Sequence, residues 1–238
     1  MKLFNKVAII GVGLVGGCIA LEVKRKKLAS RILGVSRRKR TIQIARKLKI
    51  IDEGSQKFDI IKDVDLLVLA MPVSTILDSA KKISRFIKPD CIVTDVGSTK
   101  EEIVTKLEKI FPNYVGSHPL AGSEKRGVSN AHPGIFNDSL CILTPTKNTD
   151  PQLLEKIQKF WVKIGTKVII LSASKHDKII STVSHLPHLV AFSLIRSIPS
   201  QYLKLSASGL KDTTRIALSD SSLWADIFLS NRKNVIKA

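Results

Sequence analysis

The groups with the most chemistry to offer in this chain are histidines and a serine close to glycine-bearing turns. His118 stands in Gly116-Ser117-His118-Pro119-Leu120-Ala121-Gly122, where an apolar run ends in a small-residue loop. A neutral imidazole placed there can take a proton from a substrate hydroxyl near neutral pH. Taken alone, the same residue is equally well a packed histidine before a proline. Ser98 stands in Asp95-Val96-Gly97-Ser98-Thr99-Lys100, which by itself reads as a strand ending in a turn with a helix N-cap. Ser184-His185-Leu186-Pro187-His188 offers two further imidazoles. No metal site is expected from them: neither an H-E-x-x-H pattern nor a second acidic ligand accompanies the pair, and Pro187 perturbs the helix that would carry both. His185 reads as a packed histidine, whereas His188 can reach a crevice.

These groups need a scaffold that gathers them. Short apolar runs near 6–11, 31–36, 65–71, 91–96, 114–117, 139–144 and 167–171 alternate with amphipathic stretches near 14–27, 39–49, 74–87, 99–110 and 151–164. Such alternation predicts an α/β domain whose mostly parallel sheet is covered on both faces. Ligands in open sheets of this kind bind outside the carboxyl ends of the strands. Gly11, Ser36-Arg37-Arg38, Met71-Pro72, Gly97-Ser98 and Ser117-His118-Pro119 all fall at such ends, so one crevice is expected to collect them. After the helix-start signal Ser172-Ala173-Ser174 the spacing turns helical, with no further strand candidate. The expected domains are therefore residues 1–172 and residues 173–238.

At the first strand end, Val7-Ala8-Ile9-Ile10 runs into Gly11-Val12-Gly13-Leu14-Val15-Gly16. A Gly-x-Gly-x-x-Gly turn between a strand and a helix, with a second strand near Ile32-Leu33-Gly34-Val35, is the entrance of a Rossmann-type dinucleotide site. Gly11 suits the tight turn, Gly13 lets a pyrophosphate approach the backbone, and Gly16 permits close packing. Leu14 and Val15 open a helix whose amides would face the phosphates. Where an NAD site places a carboxylate at the end of the second strand, Ser36-Arg37-Arg38 stand instead. A hydroxyl and forked guanidinium donors suit a 2′-phosphate, so NADP is the expected cofactor, with Met71 and Pro72 also lining its site.

Composition narrows the partners. With 44% hydrophobic residues the chain can bury a sizeable core. Cys18, Cys91 and Cys141 are odd in number and lack C-x-x-C spacing, which reads as reduced core cysteines. The formal net charge of +19 attracts polyanions. The cations are scattered over every presumed helix, however, and only two Tyr and two Trp could stack bases. Small, multiply charged substrates and cofactors are therefore expected, with nucleic acid excluded as the main partner. No apolar run is expected to reach the length of a membrane span, and no signal-peptide pattern precedes the first strand, so a cytoplasmic location is expected.

In order along the chain, the Gly11–Gly16 turn, Asp95-Val96-Gly97-Ser98-x-Lys100, Ser117-His118-Pro119-Leu120-Ala121-Gly122, His176-Asp177, Ser184-His185-Leu186-Pro187-His188 and Asp212-Thr213-Thr214-Arg215 resemble the prephenate and arogenate dehydrogenases of tyrosine biosynthesis. The resemblance spans nearly the whole chain. The Ser-Arg-Arg segment is similar to that of short, NADP-dependent members acting on arogenate. The resemblance implies oxidative decarboxylation of arogenate to tyrosine, with His118 as proton acceptor and Ser98 orienting it. It also implies that Arg215 receives a substrate carboxylate and that His188 lines the substrate pocket. Prephenate as substrate, and a nonenzymatic NADP-binding remnant, are the alternatives. The resemblance further implies a helical substrate and dimerisation domain and hence a homodimer. Similar proteins continue beyond the segment ending at Arg232, so a short C-terminus and a weakened dimer are expected here.

Overall fold

The computed structural model describes residues 2–123 and 125–238. Eight strands form one sheet in the order β3-β2-β1-β4-β5-β6-β7-β8. They are β1 Phe4–Ile10, β2 Ala29–Val35, β3 Glu53–Ser55, β4 Leu66–Leu69, β5 Ile92–Asp95, β6 Tyr114–Pro119, β7 Leu140–Thr144 and β8 Lys167–Ile170. All neighbours run parallel except β6 and β7. Between them lie α1 Leu14–Arg25, α2 Lys39–Lys47, α3 Val73–Ser84, α4 Glu101–Leu107 and α5 Pro151–Ile164.

Period-2 side-chain alternation explains why the central strands are apolar throughout. In β1, Val7 and Ile9 join the core under α1, α2 and α5, whereas Ala8 and Ile10 join the core under α3 and α4. Leu66 and Val68 of β4 divide from Leu67 and Leu69 in the same way. The short β3 escaped the sequence reading because Glu53-Gly54-Ser55 has neither apolar alternation nor length; it is held as an edge strand only by pairing with β2.

The glycine turn is fixed by the neighbouring strand. Gly11 has φ +96, and a Cβ there would lie 2.1 Å from the Ala70 carbonyl oxygen. At Gly16 a Cβ would lie 2.3 Å from the Gly11 carbonyl oxygen, so α1 can sit against the turn only without a side chain.

The chain beyond β8 is helical among the described residues: α6 Ala173–Ile180, α7 Leu186–Ser197, α8 Ser208–Thr214, α9 Ser221–Ser230 and α10 Arg232–Lys237. A π-turn over Ser181–His185 joins α6 to α7, with Pro187 at the start of α7. Pro187 lacks the amide hydrogen that an unbroken α-helix would use, and the wider turn absorbs the defect. Joined in this way, residues 173–197 are long and apolar enough by length and composition to cross a membrane, contrary to the expectation that no stretch would be. The polar side of this stretch is occupied otherwise: His176, Asp177 and His185 are buried within the protein. Asp177 caps α4, Asp226 accepts from the Ser74 amide at 3.2 Å, and Arg126 pairs with Asp220 at 2.7 Å. These contacts seat the helices on the carboxyl edge of the sheet.

Candidate active site

Strand register brings the sequence motifs together. Ile10 pairs with Leu69, Leu69 with Asp95, and Thr94 with Val115. Counting on from these pairs, Gly11, Ala70, Val96 and Ser117 share one row across the sheet, and Met71, Gly97 and His118 follow in the next. The carboxyl edge of the sheet thus carries a continuous row from the glycine turn to His118.

His118 is nearly buried at 9% exposure, and its Nδ1 lies 2.8 Å from Nε2 of His176. His176 Nδ1 lies 2.7 Å from the Asp177 carboxylate. That carboxylate also accepts the Lys100 amide at 2.7 Å and the Glu101 amide at 2.9 Å, at the start of α4. Burial first, and then repulsion from His176 and His185 when they are protonated and from the Lys100 charge, holds the His118 pKa well below the usual imidazole range. A histidine kept neutral beside a crevice can accept a proton.

Ser98 is half-buried on the loop after β5. Among the described residues no hydrogen bond joins it to His118, whose partner is His176. The neighbouring Asp95 is buried and fixes this loop: it accepts from the Gly97 amide at 2.7 Å, the Tyr114 hydroxyl at 2.7 Å and the Ser117 amide at 3.3 Å, and it pairs with buried Lys100.

From the helical side, His188 stacks on Trp224 with ring centroids 3.5 Å apart and an 18° angle. Its Nδ1 donates to the Ser184 carbonyl at 2.9 Å, which leaves Nε2 as an acceptor. Burial and the nearby Arg215 charge lower its pKa. Arg215 itself is exposed, on a turn that packs against α7. His185, packed as expected, accepts from Asn231 at 3.1 Å and stands edge-on to Trp224. The Ser98 backbone lies near His185, but among the described residues Nε2 has no hydrogen-bond partner. His176 and Asp177 were visible as a motif but carried no assigned role. An acid adjoining a histidine just after the Ser172 N-cap is the signal that marks them.

The buried histidines make stability depend on pH. Unfolded histidine gains a proton near pH 6.5, whereas burial pushes the His185 pKa down to about 4. Between those values the unfolded chain binds more protons, so stability falls as pH falls, and the loss is complete only below the folded value. His176 and His118, both lowered, act in the same direction. The thermal midpoint is expected to drop between about pH 7 and pH 4.5; a midpoint unchanged over that interval would contradict the burial of neutral imidazoles.

The glycine-turn end of this edge suits a dinucleotide. A Cβ on Gly13 would meet nothing within 4 Å, so the backbone there is open to a ligand. The N-terminus of α1 has no side-chain cap and no acidic residue in its first turn, which leaves the amides at Leu14 and Val15 for an anion. Met71 and Pro72 continue from Ala70 beside Gly11, with the Met71 side chain against the turn. Ser36, Arg37 and Arg38 follow β2. Ser36 Oγ accepts the Arg38 amide at 3.4 Å, and neither arginine has an ion-pair partner among the described residues. A groove of about 530 Å³ between α2 and β3, lined in part by Lys39, Arg46 and Gln56, adjoins them.

Comparison with known proteins shows the family and the fold. The family model for the prephenate dehydrogenase nucleotide-binding domain matches residues 19–170, and that for the prephenate dehydrogenase dimerization domain matches residues 172–238. Prephenate dehydrogenase from Bacillus subtilis (strain 168) is 33% identical over 98% of this chain, which spans 66% of that relative, just under two thirds of its length. The crystal structure of A. aeolicus prephenate dehydrogenase in complex with hydroxyphenyl propionate and NAD+ superposes with a TM-score of 0.93 at 39% identity, covering 98% of this chain and 85% of that one. Synechocystis arogenate dehydrogenase superposes with a TM-score of 0.83 at 28% identity, covering 98% and 86%. With a Rossmann-type sheet, a helical second domain and these matches along nearly its whole length, the chain belongs to the prephenate dehydrogenase family.

Proposed function

We propose that this chain oxidatively decarboxylates arogenate to tyrosine using NADP. The observation that carries the reaction is His118, hydrogen-bonded to His176 and nearly buried at the carboxyl edge of the sheet, in line with the glycine turn. When bound, the nicotinamide supplies the hydride acceptor. His118 accepts the proton of the ring hydroxyl as hydride leaves the same carbon. The bond from the ring to its carboxylate then breaks, carbon dioxide departs, and the freed electron pair completes the aromatic ring. The proton held on His118 returns to the ring oxygen, so none is gained or lost overall. Ser98 faces this chemistry from the loop beside His118, Arg215 pairs with a substrate carboxylate, and His188 lines the pocket with Nε2 as acceptor. Fixed placement of ring and base is the protein's main contribution, since aromatisation supplies the driving force.

Gly11, Gly13, Leu14, Val15 and Gly16 would hold the pyrophosphate, and Ser36, Arg37 and Arg38 the 2′-phosphate. Guanidinium groups at the end of β2 that have no ion-pair partner among the described residues, with no carboxylate in the Ser36-Arg37-Arg38 segment, support NADP over NAD. Ser36→Asp is expected to raise the KM for NADP by about tenfold or more, the scale of a lost hydrogen bond to a charged group, and to improve NAD use. An unchanged NADP-to-NAD ratio would remove Ser36 from the cofactor site.

Prephenate is the second reading, favoured by the relative from Bacillus subtilis, which is a prephenate dehydrogenase. Following NADPH absorbance with arogenate and prephenate, each against NADP and NAD, separates the possibilities. Turnover of arogenate with NADP at the highest kcat/KM is the expected result. A binding protein without activity would show nucleotide binding and no turnover in any combination. As the matched second domain is a dimerisation domain, we take the working form to be a homodimer.

A further inference from the structure

The hydrogen-bond chain behind His118 has a direction, and that direction decides which ring nitrogen can act. The Asp177 carboxylate accepts the Lys100 and Glu101 amides and meets His176 Nδ1 at 2.7 Å. A carboxylate held by donors has no proton to give, so the hydrogen of this contact belongs to His176 Nδ1. Burial, opposed by the Asp177 hydrogen bond, leaves the His176 pKa below its usual value, and a neutral imidazole carries a single N–H. His176 Nε2 is therefore an acceptor. It lies 2.8 Å from His118 Nδ1, which must donate to it. The lone pair of His118 is left on Nε2, which has no hydrogen-bond partner among the described residues.

We propose that His176 and Asp177 are positioning residues that hold His118 in its Nδ1–H tautomer, so that Nε2 is the one atom able to take the substrate proton. This rests on the reading of His118 as general base. When Nε2 gains a proton, the positive ring keeps donating through Nδ1 to His176, and the ionised Asp177 at the far end stabilises that charge without itself being protonated. The arrangement also ties catalysis to the seating of the helical domain. His176 and Asp177 belong to α6, whereas the amides that anchor Asp177 follow Ser98 on the sheet side. If α6 lifted away from α4, the base would lose its tautomer together with its support.

Nitrogen-15 NMR of the ligand-free full chain, with His118 assigned by its loss in His118→Gln, reads the tautomer without any substrate. Expected at neutral pH is a proton on Nδ1 and a bare Nε2. His176→Leu removes the acceptor and is expected to mix the tautomers. In that variant kcat should fall about tenfold or more, with KM for substrate and nucleotide within about threefold. In His176→Gln the amide oxygen can stand where Nε2 stood, and most of the lost kcat should return. A proton on Nε2 of His118 in the unmodified chain overturns the proposal, as does an unchanged kcat in His176→Leu. The wild-type spectrum decides the matter even if the leucine variant does not fold. If the chain turned over neither substrate, the functional reading would fail on its own, and the tautomer measurement would still stand.

Discussion

His118→Gln is expected to lower kcat by about 10³-fold, in the middle of the range for general acid–base catalysis, with NADP binding within about threefold of wild type. Glutamine keeps a polar group of similar reach, and its amide can still donate toward His176, but it has no basic nitrogen. The effect therefore isolates proton transfer from packing. Nucleotide binding should survive because the glycine turn and Arg37 and Arg38 follow β1 and β2, on the far side of β4 and β5 from His118. The wild-type pH profile supplies a second mark. Burial is the main cause that lowers the His118 pKa well below 6.5, and the Lys100 charge, with His176 and His185 whenever they are protonated, acts in the same direction. A base must be neutral to act, so a depressed pKa moves the acid limb of kcat/KM well below pH 6.5, and that limb should vanish in the variant. Steady-state assays that found kcat within about tenfold of wild type would remove His118 from the role of base.

The architecture was legible where local and tertiary preferences agree. Val7-Ala8-Ile9-Ile10 is apolar on both faces because both faces are covered, and the glycine turn must bend where Ala70 presses on it. Every strand longer than three residues could be found from its apolar run, whereas Glu53–Ser55 could not, since its strand character comes only from a neighbour. The alignment of the motifs along one edge of the sheet was legible by the same logic, because chemistry-bearing residues cluster at strand ends. The partner of His118 was not. His176 lies 58 positions away in sequence, and only docking of α6 against the start of α4 brings the rings together. The fit of His188 on Trp224 is of the same kind: a contact between two helices that no spacing within either one announces.

Lys100→Met is the substitution expected to cost most in stability, about 3–5 kcal/mol, the scale for stranding one member of a buried ion pair. Lys100 and Asp95 are both fully buried, and Nζ meets the carboxylate directly. Asp95 is further held by the Gly97 and Ser117 amides and by the Tyr114 hydroxyl, whose own pKa is raised well above its usual value by burial and the Asp95 charge. Methionine fills much of the lysine volume, so the loss would come from the uncompensated carboxylate rather than from a cavity. A control follows from that cause. In Lys100→Met/Asp95→Asn neither charge remains, and part of the lost stability should return, although the asparagine cannot accept from every donor that the carboxylate satisfies. Urea unfolding of the three proteins gives the comparison. The same carboxylate shapes the loop carrying Ser98 and the strand carrying His118, so the single variant, assayed where it is still folded, should also lose kcat. A loss of stability below about 1 kcal/mol would mean that water or rearranged side chains reach Asp95, and that the buried pair is not what holds the two motifs in place.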